Sequence, residues 1–230
     1  NYAILDILAD ALGELKLEPR DTVISSGIGQ AAKTPHYIKC NFFNGLHGRS
    51  IPVATAVKAA NPKLTVIAES GDGDIYGEGG NHLLHAIRRN PDVTCIIHNN
   101  MVYGLTKGQA SPTSGEGFKT PLQPAGVKNT PFDPAAFGVA LNASFVAKAF
   151  CGEKKRSAEI IKEALRHKGF SIVDVLQPCV TFNKTNTYQW FKENTYHLDA
   201  GYDPKDRIKA LNTILQGEKI PTGIIYRHER

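Results

Sequence analysis

Apolar and polar residues alternate along the chain in a way that predicts strands and helices in turn. Ile4, Leu5, Ile7, Leu8, Ala11, Leu12 and Leu15 recur at helical spacing, so a helix is expected from the start of the chain to about Lys16. Pro19-Arg-Asp then leads into an apolar strand, 22–25, which ends on the turn Ser26-Gly27-Ile28-Gly29. Small and apolar residues from Ile51 to Ala60 predict an amphipathic helix, and Asn61-Pro62-Lys63 turns the chain into a second apolar run, 64–68. Pro35 argues against a helix through Lys33.

The run 64–68 opens the stretch around which the chain is organised. It meets Gly71-Asp72-Gly73-Asp74 and a second glycine cluster, 77–80. Leu83, Leu84, Ala86 and Ile87 mark a helix closed by Arg88-Arg89-Asn90-Pro91, and 93–97 is a third strand ending on His98-Asn99-Asn100. This is a βαβ unit, and such units build parallel sheets whose strands are near-continuous apolar runs. Residues 109–134, rich in Gly, Pro, Ser and Thr, read as an extended surface or interface segment. Asp133-Pro134 caps a helix to Leu141, 143–149 is a strand, 157–167 a helix stopped at Lys168-Gly169, and 170–176 another parallel strand. The expected fold is α/β, a mostly parallel central sheet with helices on both faces. One domain is expected over 1–190, and the less apolar 191–230 as an extension packing on a partner subunit.

Charge and cysteine usage narrow the class. The net charge is +5, yet the basic residues are scattered and no basic run with interleaved aromatics suggests nucleic acid. No signal peptide or membrane-length apolar stretch is present in the sequence given, and Cys40, Cys95, Cys151 and Cys179 lack the spacing of a disulfide scaffold, so a reducing cytoplasm is expected. The opening on Asn1 without Met, inside a helical pattern, and the abrupt close after 220–230 suggest missing residues at each end.

The chemistry lies at the carboxyl ends of the strands, where open α/β sheets bind ligands. Asp72 offers an anionic oxygen and Asn100 an amide oxygen, the hard donors that Mg²⁺ takes together with substrate phosphate. Gly71 and Gly73 let backbone N–H groups approach a diphosphate. Alone, GDG is an ordinary strand-to-helix turn. Its separation from Asn99-Asn100 by one strand–helix–strand unit favours a metal–diphosphate site.

Gly71-Asp72-Gly73 with Asn99-Asn100 resembles the thiamine diphosphate motif. With Tyr103-Gly-Leu-Thr-Lys-Gly-Gln109, Ser111-Pro-Thr-Ser114, Ser26-Gly-Ile-Gly29, Leu46-His-Gly-Arg49, Ile51-Pro-Val-Ala54 and Gln177-Pro-Cys-Val-Thr-Phe-Asn183, the chain resembles the β subunit of 2-oxoacid:ferredoxin oxidoreductases over most of 1–190. The resemblance implies thiamine diphosphate with Mg²⁺ held by Asp72, Asn100 and the Val102 carbonyl. It places Ile28, Gly29, Gln30, His47, Gly48, Gly71, Gly73, Asp74, Leu105 and Thr106 at the cofactor, and Lys33, His47 and Leu105 at the reacting substrate. Lys33 pairing a distal carboxylate would favour 2-oxoglutarate; the alternative is an exposed surface lysine. His47 is equally readable as a structural histidine, and Arg49 as an anchor.

The implied activity is oxidative decarboxylation of a 2-oxoacid with coenzyme A, electrons leaving through a 4Fe–4S cluster to ferredoxin, in a heterodimer whose α subunit holds the cofactor's pyrimidine. The family's cluster uses an N-terminal CxxC, a Cys closing a GIGC turn and the Cys of PCxTFN. Here Cys179 matches the last, but Gln30 stands where the turn would place Cys, and glutamine is a poor substitute for thiolate. Either the cluster is present, with Cys40 supplying the displaced ligand and an expected CxxC before Asn1 supplying two more, or the cluster site has degenerated; Cys95 and Cys151 read as structural. Two other readings stand beside this one. A non-oxidative thiamine-dependent decarboxylase or synthase would need no cluster. A non-catalytic assembly subunit would have little need for both Asp72 and Asn100.

Overall fold

A computed structural model describes residues 2–229. Eight strands form one sheet in the order β2-β1-β3-β4-β6-β5-β8-β7. In chain order they are β1 (Thr22–Ser26), β2 (Asn41–Asn44), β3 (Thr65–Gly71), β4 (Thr94–Asn99), β5 (Phe145–Phe150), β6 (Ser171–Leu176), β7 (Thr195–His197) and β8 (Ile220–Arg227). From β2 across to β5 all pairings are parallel; β8 runs antiparallel to β5. The helices are α1 (Tyr2–Glu14), α2 (Ser50–Ala60), α3 (Gly80–Arg89), α4 (Pro134–Ala140), α5 (Lys154–Arg166), α6 (Tyr188–Asn194) and α7 (Arg207–Leu215).

Parallel strands need helical crossovers, and these cover both faces. On one face α1 and α5 bury Ile4, Leu8, Ile161 and Ala164 against Ile24, Ile67, Ile96 and Val173. On the other, α2, α3, α4 and α7 bury Ile51, Leu83, Val139 and Ala210 against Val66, Ala68, Cys95 and Ile172. The alternation Val66/Ile67/Ala68 thus feeds both cores from one strand, which is why the run reads as uninterrupted apolar sequence. The expected α/β architecture is the one found.

Four outcomes differ from the sequence reading. Pro35 does not exclude helix: Ala31–His36 forms a 3-10 turn, whose i to i+3 bonding fits around the missing N–H. Strand β2 is unforeseen; its short segment sits at the sheet edge with mostly exposed side chains and so lacks an apolar signature. Gly73–Glu78 is a wide π turn, with Gly79 N donating to Asp74 O at 2.8 Å. The boundary expected at 190/191 falls inside α6, and β8 joins the main sheet with Ile225 fully buried.

The helix boundaries follow local chemistry. Asp133 Oδ1 accepts from Ala135 N and Ala136 N, capping α4 with Pro134 in its first turn. Asn90 ends α3 in the left-handed region (φ 52°), and its Oδ1 accepts from Phe170 N and Ser144 Oγ, locking the helix end to the start of β6.

Candidate functional site: a cleft at the carboxyl ends of the strands

Strands β1 and β3 are neighbours, but the chain leaves β1 for β2 on one side and returns as β3 on the other. Their following loops therefore diverge, and a cleft opens at this switch point. One wall is Ile28, Gly29, Gln30 and Ala31, after β1; the floor is Gly71, Asp72, Gly73 and Asp74; the far wall is Asn100, Val102, Leu105 and Thr106, after β4. His47 reaches the lip as an exposed side chain. Of the sequence-predicted cofactor residues only Gly48 does not line the cleft; its N–H donates to Asp74 Oδ1 at 2.9 Å and so holds the His47 loop against the floor. Arg49 Nη1 lies 2.6 Å from His82 Nε2 on α3 and anchors the same loop.

Asp72 is buried, 2% exposed. Its Oδ2 accepts from the hydroxyls of Ser111 and Thr113, both at 2.6 Å. Burial pushes its carboxyl up to about 6, against the lowering effect of those hydroxyls and of the Asn100 N–H. A carboxylate whose charge burial disfavours is a group that a bound cation stabilises. Asn100 turns its side chain onto its own loop, Oδ1 accepting from Val102 N at 3.1 Å, while Asn183 Nδ2 donates to its carbonyl. Val102 is buried, leaving backbone as its useful donor. One anionic oxygen, one amide oxygen and one carbonyl on converging loops fit Mg²⁺, and the open space around Gly29 (φ +105°) leaves room for a ligand beside the β1 turn.

A second polar chain holds this arrangement from behind. Asn99 Nδ2 donates to both oxygens of buried Asp174, at 3.1 and 3.2 Å, Tyr76 Oη donates to Asp174 Oδ1 at 2.9 Å, and Thr113 Oγ1 lies 3.0 Å from Asn99 Oδ1. Burial raises the Asp174 carboxyl, opposed chiefly by Lys148. Ser111, Thr113 and Asp174 do not stand out in the sequence as site residues. The clustered hydroxyls of Ser111-Pro-Thr-Ser114 are the available signal, directly downstream of the Asn-Asn turn.

Two of the glycines are also required by packing. A Cβ at Gly73 would stand 2.2 Å from Tyr103 Cε1, and one at Gly27 2.1 Å from Asp74 Oδ2. Tyr103 Oη donates to Gly73 O at 3.1 Å, so its ring seals the π turn.

A second cavity adjoins the cleft, sharing Gln30, His98, Asn100 and Gly104 with it. Lys33, Thr34 and Cys179 line this chamber, so Lys33 shares a compartment with Asn100 and lies one compartment away from Asp72 and Val102. Cys40 lines neither space; it packs on the α1 side of the core, its thiol pushed up to about 11 by burial. Cys95 and Cys151 are buried. Among the described residues no three His, Cys, Asp or Glu side chains group as a metal site. With one thiol at the chamber and Gln30 beside it, the described residues do not fit a four-thiolate cluster.

This fold and cleft define a thiamine diphosphate enzyme, and residues 24–175 match the family model "Thiamine pyrophosphate enzyme, C-terminal TPP binding domain". Residues 179–230 match the family model for the C-terminal part of the pyruvate ferredoxin oxidoreductase beta subunit. The β subunit of 2-oxoacid:ferredoxin oxidoreductase 1 of Aeropyrum pernix is 43% identical, covering 98% of this chain and 75% of that one. The 2-oxoglutarate synthase subunit KorB of Archaeoglobus fulgidus is 37% identical, covering 88% and 75%. The 2-oxoglutarate:ferredoxin oxidoreductase of Magnetococcus marinus, solved with 2-oxoglutarate, coenzyme A and succinyl-CoA bound, superposes with a TM-score of 0.98 at 34% identity, covering 100% of this chain and 79% of that one. The chain belongs to the family of 2-oxoacid:ferredoxin oxidoreductase β subunits, and is an enzyme subunit.

Proposed function

We propose that this chain binds thiamine diphosphate through Mg²⁺ on Asp72, Asn100 and the Val102 carbonyl, and takes part in the oxidative decarboxylation of a 2-oxoacid with coenzyme A. The observation that carries the reading is the convergence of these three donors on one cleft, with Asp72 buried and braced by Ser111 and Thr113. Thiamine diphosphate supplies the electron sink for decarboxylation. The chain's own residues bind and orient: Asp72 and its hydroxyls fix the anionic end, and Leu105 and Thr106 close the far wall. His47 stands at the lip.

The substrate favoured is 2-oxoglutarate. Lys33 lines the adjoining chamber, where an ammonium pairs with a distal carboxylate. Relatives named for 2-oxoglutarate support the same choice. The partner is an α subunit that holds the pyrimidine end of the cofactor; residues 191–230 are the proposed contact, and ferredoxin the acceptor. Among the described residues no helix is long and apolar enough to cross a membrane, in keeping with the proposed cytoplasmic setting.

Of the cluster ligands that the family resemblance implies, Cys179 alone reaches the chamber, so no step is assigned to a cluster. Gln30, at the position of the turn cysteine and lining the same chamber as Cys179, favours a second reading, a non-oxidative thiamine-dependent decarboxylase or synthase. Iron and acid-labile sulfide analysis of the anaerobically purified complex separates the two: absence of both, with thiamine diphosphate bound, selects the non-oxidative reading. The proposal as a whole is tested by Asp72→Ala, measured by calorimetry with thiamine diphosphate and Mg²⁺. Retained wild-type affinity would refute the metal assignment.

A further inference from the structure

Glu69 and His98 form a buried pair to which the proposed cofactor site gives no role. They lie on adjacent parallel strands, β3 and β4, with Gly71 opposite His98 and Glu69 opposite Ile96 in the register. The two side chains share one face of the sheet, two residues beyond Ile67 and Ile96, which are fully buried in the core. Apolar side chains would complete that core at lower cost, because burying polar groups costs desolvation that their hydrogen bonds must offset. Yet Glu69 is 0% and His98 2% exposed.

The pair is oriented and incomplete. His98 Nε2 sits 2.7 Å from Glu69 Oε1, and Thr34 Oγ1, shared with Ala31 O, lies 2.9 Å from the same oxygen. His98 Nδ1 and Glu69 Oε2 are buried with no hydrogen-bond partner. Orphaned buried polar atoms are rare and ask for an explanation. His98 also lines both the cofactor cleft and the Lys33 chamber, so its ring stands at the wall they share. A carboxylate on one ring nitrogen fixes the rotamer and leaves the other for a ligand.

We propose that His98 contacts the 2-oxoacid through Nδ1 where the two cavities meet, with Glu69 and Thr34 as positioning residues. The inference rests on the proposed function for the substrate class. A 2-oxoacid offers polar oxygens at its reacting end, and with Nε2 engaged by Glu69 the His98 Nδ1 is the ring atom left to meet them. Lys33 in the same chamber then takes the distal carboxylate, so His98 and Lys33 mark the two ends of a dicarboxylic substrate.

The test uses the native complex with its partner subunit and 2-oxoglutarate as the probe. KM and kcat are measured with an artificial one-electron dye, and thiamine diphosphate affinity by calorimetry. His98→Leu is expected to raise KM at least tenfold with cofactor affinity within threefold of wild type. His98→Asn, which restores a polar atom near Nδ1, should recover part of that loss, and Glu69→Gln should shift KM the same way by less. A KM within twofold of wild type in His98→Leu overturns the proposal, as does a KM rise matched by an equal loss of cofactor affinity. If His98→Leu does not fold, His98→Asn and Glu69→Gln decide: wild-type KM in both overturns it. A wild-type complex that binds no thiamine diphosphate or turns over no 2-oxoacid refutes the functional reading itself, and this inference with it.

Discussion

Thr113 donates its hydroxyl to Asp72 Oδ2 at 2.6 Å across a sequence separation of 41 residues, and so joins the irregular segment after β4 to the floor of the cleft. The same hydroxyl lies 3.0 Å from Asn99 Oδ1, next to Asn100. Removing it loosens both proposed metal ligands while leaving their chemistry intact. Thr113→Val is expected to weaken thiamine diphosphate binding in the presence of Mg²⁺ about tenfold, the scale of about 1.5 kcal/mol for a hydrogen bond to a charged group. Calorimetric titration checks it, with Thr113→Ser expected to keep most of the affinity; equal affinity for Val and wild type would refute the bracing role.

Metal removal is the complementary perturbation. With burial disfavouring its charge, Asp72 gains most from a cation, and the cofactor's diphosphate has no other counter-charge among the floor residues Gly71, Gly73 and Asp74. Chelating Mg²⁺ is expected to lower thiamine diphosphate affinity about a hundredfold, roughly 2.7 kcal/mol. Restoring Mg²⁺ should recover it in wild type and not in Asp72→Ala. Affinity indifferent to chelator would place the diphosphate elsewhere.

Much of this site was legible in the sequence because its donors sit at fixed points of a βαβ unit. Apolar runs located β3 and β4, and the polar residues ending them had to lie at one sheet edge. Ser111 and Thr113 were not legible in their roles, because a hydroxyl on a turn-rich segment carries no periodic signal and its partner is set by tertiary folding. Strand β2 escaped for lack of burial, and the pair Glu69–His98 because strand ends are normally solvated. That protein neighbours also require Gly73 and Gly27 was not legible, because the Tyr103 ring and the Asp74 carboxylate reach them only in the folded chain.

Gly73→Ala tests that last point. Its Cβ would meet the Tyr103 ring at 2.2 Å, and the ring is pinned by its hydroxyl on Gly73 O and Glu78 Oε1. Overpacking of this kind costs about 1–3 kcal/mol. Combining Gly73→Ala with Tyr103→Ala should be less destabilising than the sum of the two single changes, because the second substitution removes the clash. Denaturant midpoints of the four proteins give the coupling, and strict additivity would show that Gly73 is not held by Tyr103.

Asp174 supplies a pH-dependent prediction with a definite sign. It is buried, and its carboxyl is raised above the ordinary range by desolvation. An unfolded aspartate ionises near pH 4. Above that pH the unfolded chain releases the proton while the folded chain still holds it, so stability falls as pH rises until the folded group ionises in turn. Asp174→Asn stays neutral and can still accept from Tyr76 Oη, which now donates to Asp174 Oδ1. Wild type is therefore expected to lose stability relative to Asp174→Asn as pH is raised from about 4, by up to about 1.4 kcal/mol per pH unit across the window. Asp174→Ala strands Tyr76 Oη and Asn99 Nδ2 as well, and should be destabilised by about 3 kcal/mol. Urea unfolding from pH 4 to 8 measures all three proteins. A gap between wild type and Asp174→Asn that does not move with pH would show that the buried carboxyl has the same proton affinity folded and unfolded, with Lys148 offsetting the cost of burial in full.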